Sequence, residues 1–448
     1  MEKDIIVIGG GPAGMASAWG CAKQGAKVLL IERYGFLGGM ATAGFVGSIL
    51  GHYLNEKEPA VSGFLKFLIE KTYQMDGCEK WESAFRKYGI SFDSEILKIS
   101  SEKLLLEEKV EILYHSFVSS VKIEDSLIKE IEVVNKSGKM KIKGKVFIDA
   151  TGDADIAFYS GFNYTKGRFF DGKMQSMGCM FKIAGIDEEK ITEEVAKKAG
   201  NLLNELKEKG ELIIYNTGLG GKGSTTRKGE RSFNVMRFQG DGTDVFDLTK
   251  GEIFIRDQIY KYWKFLKENV PGFESSYISA LPPNIGIRET RQIEGLYTLT
   301  EDDILKGRKF DSSIARGTYW IDIHCPLGRT KKVHLCVKEC QTEEYCIALD
   351  KFKDYLPAKN KLYPPKNDWF SIPYECLIPK NSKNLLVTGR CISADHKAMS
   401  SIRVMATCIA TGHSAGIGAY IALDKNISVD KVNPLEVQKI LEKQEGLY

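Results

Sequence analysis

At 448 residues the chain is too long for one ordinary core, and a prior of about one domain per 100–200 residues predicts two or three. Apolar residues make up 43% and charged residues 27%, a globular balance that argues against wholesale disorder. The formal charge of +4 is small and dispersed, which argues against nucleic acid and membrane surface as partners, and no run approaches the ~18–20 apolar residues of a membrane span.

The first apolar run begins within a few residues of Met1, so no signal peptide is read and a cytoplasmic protein is expected. Ten cysteines are spread along the whole chain, several inside apolar runs, which points to reduced thiols rather than a disulfide framework.

Asp4 to Ile8 reads as a buried strand, Gly9 to Gly14 as a tight turn and Met15 to Gln24 as a helix of small residues, with Gly25 as its stop. Lys27 to Ile31 is a second buried strand ending at Glu32, which completes a βαβ unit of about thirty residues. Ser91 to Glu108 is predicted helical, with Asp93 and Ser94 as candidate caps. Short runs at 112–114, 117–121, 128–134 and 145–148 predict a β-meander that closes on another buried strand.

From about 160 to 375 the pattern is mixed. A helix is expected over Leu248 to Asn269, opened by the capping-box spacing Thr249-x-x-Glu252. Trp320 to His324 alternates as a strand would, putting Asp322 and His324 on one face. Asn384 to Thr388 returns to the buried-strand pattern, followed by Gly389-Arg390 and a long small-residue helix from about Ile402 to Leu423. Gly218 to Gly223 superficially repeats the glycine turn but leads into polar residues rather than a helix, so it reads as a loop.

Gly9-x-Gly11-x-x-Gly14 follows a strand and opens a helix, and Glu32 stands at a strand end about 20 residues on. The first glycine permits the turn, the second lets backbone approach a diphosphate, and the third lets helix and strand pack closely. The helix N-terminus offers the anion unpaired N–H groups and a positive dipole end. Glu32 suits ribose hydroxyls and disfavours a 2′-phosphate, while Arg33 beside it acts the other way. The turn alone fits NAD as well as FAD.

The segments Val7 to Gly14, Leu37 to Thr42, Asp149 to Asp155, Arg288 to Arg291, Asp322 to His324, Ile372 to Tyr374 and Asn384 to Ser393 together resemble a large bacterial family of FAD-dependent oxidoreductases. The resemblance runs over most of the chain. It implies an α/β fold in which a Rossmann-like, glutathione-reductase-like FAD-binding domain is built from residues 1–160 and 376–448, with an α+β substrate domain inserted at 161–375. It implies FAD held by Gly9, Gly11, Pro12, Ala13, Gly14, Glu32 and Arg33. Gly38, Gly39, Met40 and Ala41 would lie near the diphosphate or flavin, and Val118 beside the adenine. Ala150 and Gly152 would belong to a turn crossing the cofactor, and Gly389 and Arg390 would make ribityl or phosphate contacts. Arg403 and Met405 would begin a helix aimed at the flavin, whose positive end stabilises charge on a reduced ring. Within that helix Gly412, Gly416 and Gly418 equally suit close helix packing.

Flavin chemistry asks the protein to position a small-molecule substrate and stabilise developing charge, so cations and imidazoles are the catalytic candidates. Arg288 offers a planar fork for a carboxylate, with Arg291 nearby. A structural ion pair with Glu289 or Glu294 is the competing role. His324, oriented by Asp322, and His396 are candidates for proton transfer, and each is also readable as a core histidine. Cys325, Cys336, Cys340 and Cys346, with His334 in the same window, leave three readings open: zinc or an iron–sulfur cluster relaying electrons to the flavin, reduced structural thiols, or a redox disulfide. The electron donor or acceptor is not legible, and homo-oligomer formation stays open.

Overall fold

The computed structural model describes residues 2–221, 224–327, 335–340 and 345–448. Strand β1 (Glu2–Ile8) runs into helix α1 (Pro12–Ala22) and strand β2 (Val28–Ile31), which pairs with β1 in parallel from Ile5–Val28 to Ile8–Ile31. Both strands are apolar over four consecutive buried residues, as strands covered on both faces must be.

Helix α2 (Ser94–Glu107) starts where the Asp93 carboxylate accepts the Glu95 and Ile96 amides, and it leads to strand β3 (Glu111–Leu113) on the far edge of β2. Strands β4 (Phe117–Glu124), β5 (Leu127–Asn135) and β6 (Gly138–Asp149) form the meander. β6 is long enough to serve two partners. Its first half pairs antiparallel with β5, and its second half runs parallel to β1. The late strand β10 (Leu385–Val387) adds in parallel to the outer side of β6, so the C-terminal chain completes the N-terminal sheet. The parallel order is β3-β2-β1-β6-β10, with the order of succession reversing at β1, and in such sheets ligands bind beyond the carboxyl ends at this switch point.

A short helix, α3 (Asp155–Tyr159), follows β6. A second layer has its own core: strands β7 (Met177–Ala184), β8 (Arg231–Phe238) and β9 (Tyr277–Ala280) form an antiparallel sheet ordered β8-β7-β9. It packs on helices α4 (Glu193–Glu208) and α5 (Val245–Asn269) around Phe181, Phe233, Tyr262 and Phe273. Helix α5 begins at Asp244, whose carboxylate accepts the Phe246 and Asp247 amides. The expected Thr249-x-x-Glu252 box is not formed: Thr249 bonds back to the Val245 carbonyl inside the helix, and Glu252 accepts the Ile285 amide. Residues between Leu299 and Ile378 pack into the same core as α1 and the C-terminal helices, rather than onto this second layer.

The late helix expected from about Ile402 to Leu423 is α7 (Met405–Lys425), and a separate short helix, α6 (His396–Ile402), precedes it across Arg403 and Val404. Helices α1 and α7 cross in near contact. A Cβ on Gly412 would lie 2.2 Å from the Ala13 carbonyl oxygen and one on Gly416 2.2 Å from that of Ser17, so packing accounts for both glycines. Helix α8 (Pro434–Lys443) closes the chain, and Gln444 Oε1 meets His413 Nε2 of α7 at 2.5 Å.

Burial lowers the His413 pKa from 6.5 to about 4, against the opposing hydrogen bond that His413 donates to Gln444. The unfolded chain therefore binds the proton first, and the folded state loses stability as pH falls from 6.5 toward 4. Over pH 7 to 5.5 the wild type is expected to lose about 1 kcal/mol more than His413→Gln in urea unfolding. Equal pH dependence in the two proteins would contradict a buried neutral imidazole.

Among the described residues no helix is long and apolar enough to cross a membrane, and the ten cysteines are free. The described part of 218–223 is irregular and enters bends and turns rather than a helix. His334 lies outside the described residues.

Candidate functional site

The carboxyl ends of the parallel strands open on one cleft holding about 1080 Å³ of empty space, partly open to solvent. Ile8 ends β1 and Gly9 follows it, Ile31 ends β2 and Glu32 follows it, Ala150 follows β6 and Thr388 follows β10, and all of them line it. Of the residues expected to hold the cofactor, Gly9, Gly11, Pro12, Ala13, Glu32, Arg33, Gly39, Met40, Val118, Ala150, Gly152, Gly389, Arg390, Arg403 and Met405 line the same cleft. Gly14, Gly38 and Ala41 stand behind this wall.

The reasons differ from glycine to glycine. Gly11 caps α1 with ordinary extended backbone (φ −73°, ψ −175°), and a Cβ there would find only the Gly39 Cα, at 3.8 Å, so the position opens on the cleft. A Cβ on Gly14 would lie 1.7 Å from the Gly9 carbonyl oxygen, so that glycine serves the closeness of helix and turn. Gly38 is left-handed (φ 107°), and its amide donates to the Gly10 carbonyl at 2.8 Å, tying the second loop to the first.

Glu32 is buried, and both of its oxygens accept backbone amides, from Gly10 at 2.6 Å and Tyr34 at 2.9 Å. Burial raises its pKa and these two bonds oppose the rise. Its carboxylate thereby fixes the turn as well as facing the cleft.

Asp149, at the end of β6, was not singled out from sequence, yet it holds the third wall. Fully buried, it accepts the Thr151 hydroxyl at 2.7 Å and the amides of Thr151, Ile156 and Ala157 at 3.1, 2.8 and 3.1 Å, so it shapes the Ala150–Gly152 turn and caps α3. The signal was available: an aspartate ending a buried strand, six residues before a helix. Asp149→Ala leaves these donors unpaired and is expected to destabilise the protein by about 3 kcal/mol, with Asp149→Asn costing less. Equal urea midpoints for Asp149→Ala and wild type would refute this bracing role.

Arg390 is engaged by protein on every nitrogen: Nε donates to the Gly152 carbonyl at 2.6 Å, Nη1 to that of Ile287 at 2.5 Å and Nη2 to Asp153 at 2.5 Å. It joins three segments around the cleft. Arg291 bonds the Asp153 carbonyl and Asp155, both at 2.9 Å, and stacks 4.2 Å over Phe158, so its ion pair is with Asp155 rather than the expected Glu289 or Glu294.

The catalytic candidates form two groups. Glu289 faces His396, Oε1 to Nδ1 at 2.7 Å, and its other oxygen accepts the Gln175 amide at 2.8 Å. His396 Nε2 is buried with no hydrogen-bond partner among the described residues. The second group gathers His324, Asp322, Arg403, Arg237 and Arg288. His324 Nε2 lies 3.3 Å from Asp322 Oδ2 and its Nδ1 3.4 Å from Arg237 Nη2. Residues 320–324 are not a ladder strand; His324 makes a single bridge, to Leu335, but Asp322 and His324 meet as the alternation predicted. Arg237, on β8, escaped notice because its strand lay in the segment without a clear pattern.

The electrostatics of this group run against free titration. Burial, and then Arg288, push His324 well below its usual range, with Asp322 opposing. Burial also lowers Arg288 well below the ordinary guanidinium range, reinforced by Arg237 and Arg403. Asp322 stays ionised well below the usual carboxylate range: His324 and Arg403 overcome its burial.

The thiols of Cys325, Cys336 and Cys346 lie near Arg168, whose Nη1 is 3.7 Å from Cys336 Sγ, and Cys340 lies near Cys325 and Cys346. Among the described residues no group of three or more His, Cys, Asp or Glu is arranged to hold a metal ion, so the zinc or iron–sulfur ligand set expected from sequence is not assembled there. Burial pushes Cys325 up to about 11 and Cys336 up to about 12, which keeps both as neutral thiols.

Among proteins of recorded activity, the chain is similar to the thiamine thiazole synthase of Aeropyrum pernix, 49% identical over 39 residues, 9% of this chain and 14% of that one. It is 27% identical to the thiamine thiazole synthase of Methanococcus aeolicus over 172 residues, 35% of this chain and 58% of that one. Less than two thirds of either relative is spanned. A geranylgeranyl bacteriochlorophyll reductase-like protein of Thermoplasma acidophilum aligns over 100% of this chain and 84% of its own, at 13% identity and a TM-score of 0.45. The family model described as FAD dependent oxidoreductase matches residues 4–441, which takes in every wall of the cleft: the chain belongs to the FAD dependent oxidoreductase family and is a flavoenzyme that uses FAD.

Proposed function

We propose that FAD lies extended along this cleft in a glutathione-reductase-like arrangement, and that the enzyme passes two electrons between a small organic substrate and FAD. The observation that carries the reading is the position of Gly11. It stands at the N-terminus of α1, at the carboxyl ends of the parallel strands, with nothing closer to its missing Cβ than 3.8 Å. The residues fit the cofactor. The α1 N-terminus faces the diphosphate, Glu32 and Val118 flank the adenosine end, and Arg403 and Met405 stand at the ring end. Residues 1–160 and 376–448 carry the cofactor, and 161–375 supply the substrate side.

FAD supplies the redox chemistry, and the chain's residues bind, orient and shield. Arg288 binds substrate. Of the two histidines, His396 is the better placed to hold or release a proton, because its Nε2 is unpartnered whereas both ring nitrogens of His324 face charged neighbours. An anaerobic reductive titration tests the stoichiometry. Complete bleaching with two electrons per flavin is expected, whereas uptake of further electrons would reveal a second redox centre and overturn the simple two-electron scheme.

A further inference from the structure

Three guanidinium groups from separate segments gather near Asp322 beside the ring end of the cleft, and that of Arg403 is bonded to it. Arg403 Nη2 donates to Asp322 Oδ2 and to the Asp322 carbonyl, both at 3.1 Å. Arg237 is buried; its Nη1 donates to Asn234 Oδ1 at 2.8 Å and to the Met236 carbonyl at 2.7 Å, and its plane lies 3.7 Å over the Tyr215 ring. Arg288 Nη1 donates to the Ser176 carbonyl at 2.7 Å.

The two arginines of the second layer are neighbours. A Cβ built on Gly178 would lie 2.8 Å from Arg288 Nη1 and 3.1 Å from Arg237 Nη1, so a glycine here gives both guanidinium groups room. Arg237 also meets His324 Nδ1 at 3.4 Å and the Tyr215 side chain, and the nearby anion whose charge acts on both arginines is Asp322. That carboxylate is already shared among Arg403, His324 at 3.3 Å and the Tyr319 hydroxyl at 3.5 Å.

Charge and hydrogen bonding are both left short. Among the described residues three cations surround one anion, and the Nε atoms of Arg237 and Arg403, with Asp322 Oδ1, are buried without hydrogen-bond partners. Grouping like charges away from water is costly unless a counter-charge arrives. Arg288 and Arg403 keep partial exposure, and Arg403 also lines the cleft, so the cluster adjoins the ring end through Arg403. A guanidinium fork matches the planar, two-oxygen geometry of a carboxylate.

We infer that this cluster recognises the anionic end of the substrate, an organic carboxylate held by Arg237 and Arg288, with Arg403 and Asp322 fixing its orientation toward the flavin. The inference rests on the reading of the cleft as the site of a two-electron flavoenzyme, and it names the substrate class.

The test uses the FAD-loaded enzyme, titrated with acetate, malonate and benzoate, each against its neutral amide, and reads the flavin difference spectrum. At least one carboxylate is expected to give a saturable change that its amide does not. Arg288→Gln and Arg237→Gln are expected to weaken it by at least about 30-fold at wild-type flavin content, with Arg288→Lys recovering part of the loss. Flavin bound with no carboxylate response, equal responses to carboxylate and amide, or undiminished binding in both glutamine variants would each overturn the inference alone. If the cations served only the reduced flavin, the variants would shift its potential while no carboxylate bound, which also overturns it. A protein that binds no FAD would remove the underlying reading of the cleft as well.

Discussion

Gly11→Val is expected to lower FAD affinity by at least about 100-fold, about 3 kcal/mol, while the protein keeps its fold. The backbone at Gly11 has angles any residue adopts, and the nearest atom to an added Cβ is the Gly39 Cα at 3.8 Å. A side chain there therefore occupies cleft rather than core. Valine is a poorer helix cap than glycine, which costs about 1 kcal/mol or less. The FAD-stripped variant should thus melt close to FAD-stripped wild type, and isothermal titration should show the loss of affinity. Unchanged FAD affinity would mean that the diphosphate does not pass over this turn.

Gly14→Ala, three residues on, is expected to act in the opposite way. Its Cβ would lie 1.7 Å from the Gly9 carbonyl oxygen and 3.2 Å from the Ala150 Cβ, and neither is the far end of a flexible side chain. Backbone must move, so α1 is pushed from the turn it caps and from the β6 end beside it. Overpacking of this kind costs about 3 kcal/mol and sometimes more. The FAD-stripped Gly14→Ala protein should therefore melt well below FAD-stripped Gly11→Val and wild type. If the two variants show the same stability, the division between a ligand-facing and a packing glycine is wrong.

Much of the frame was legible because it is local. The strand, turn and helix from β1 to β2 carry their own signals: four consecutive apolar residues, a glycine turn with Pro12 at the helix start, and Glu32 closing the second strand. The Asp93 cap was equally plain, because an N-cap acts within three residues. The return of β10 to the first sheet came from the family likeness as much as from its apolar run.

What escaped depended on contacts between distant segments. The sheet of β7, β8 and β9 alternates poorly because helices cover one face while the other carries Arg237 and Lys182 toward further protein. The cap of α5 was misplaced because Thr249 and Glu252 have the spacing of a capping box, yet Asp244 lies upstream and takes the role. The start of the late helix was legible, but the bond from Arg403, just before α7, to Asp322, eighty-one residues away in the chain, was not. Arg390 lines the cleft near which its motif placed it, and its bonds to Gly152, Ile287 and Asp153 escaped for the same reason.

Whether FAD occupies the cleft at the carboxyl ends of the parallel strands is read by amide hydrogen exchange on FAD-loaded against FAD-stripped protein. Slowed exchange is expected in residues 9–14, 32–41, 150–156 and 388–390, with helix α5 unchanged. Protection lying in the β7–β9 layer and α5, with the glycine turn unaffected, would contradict it.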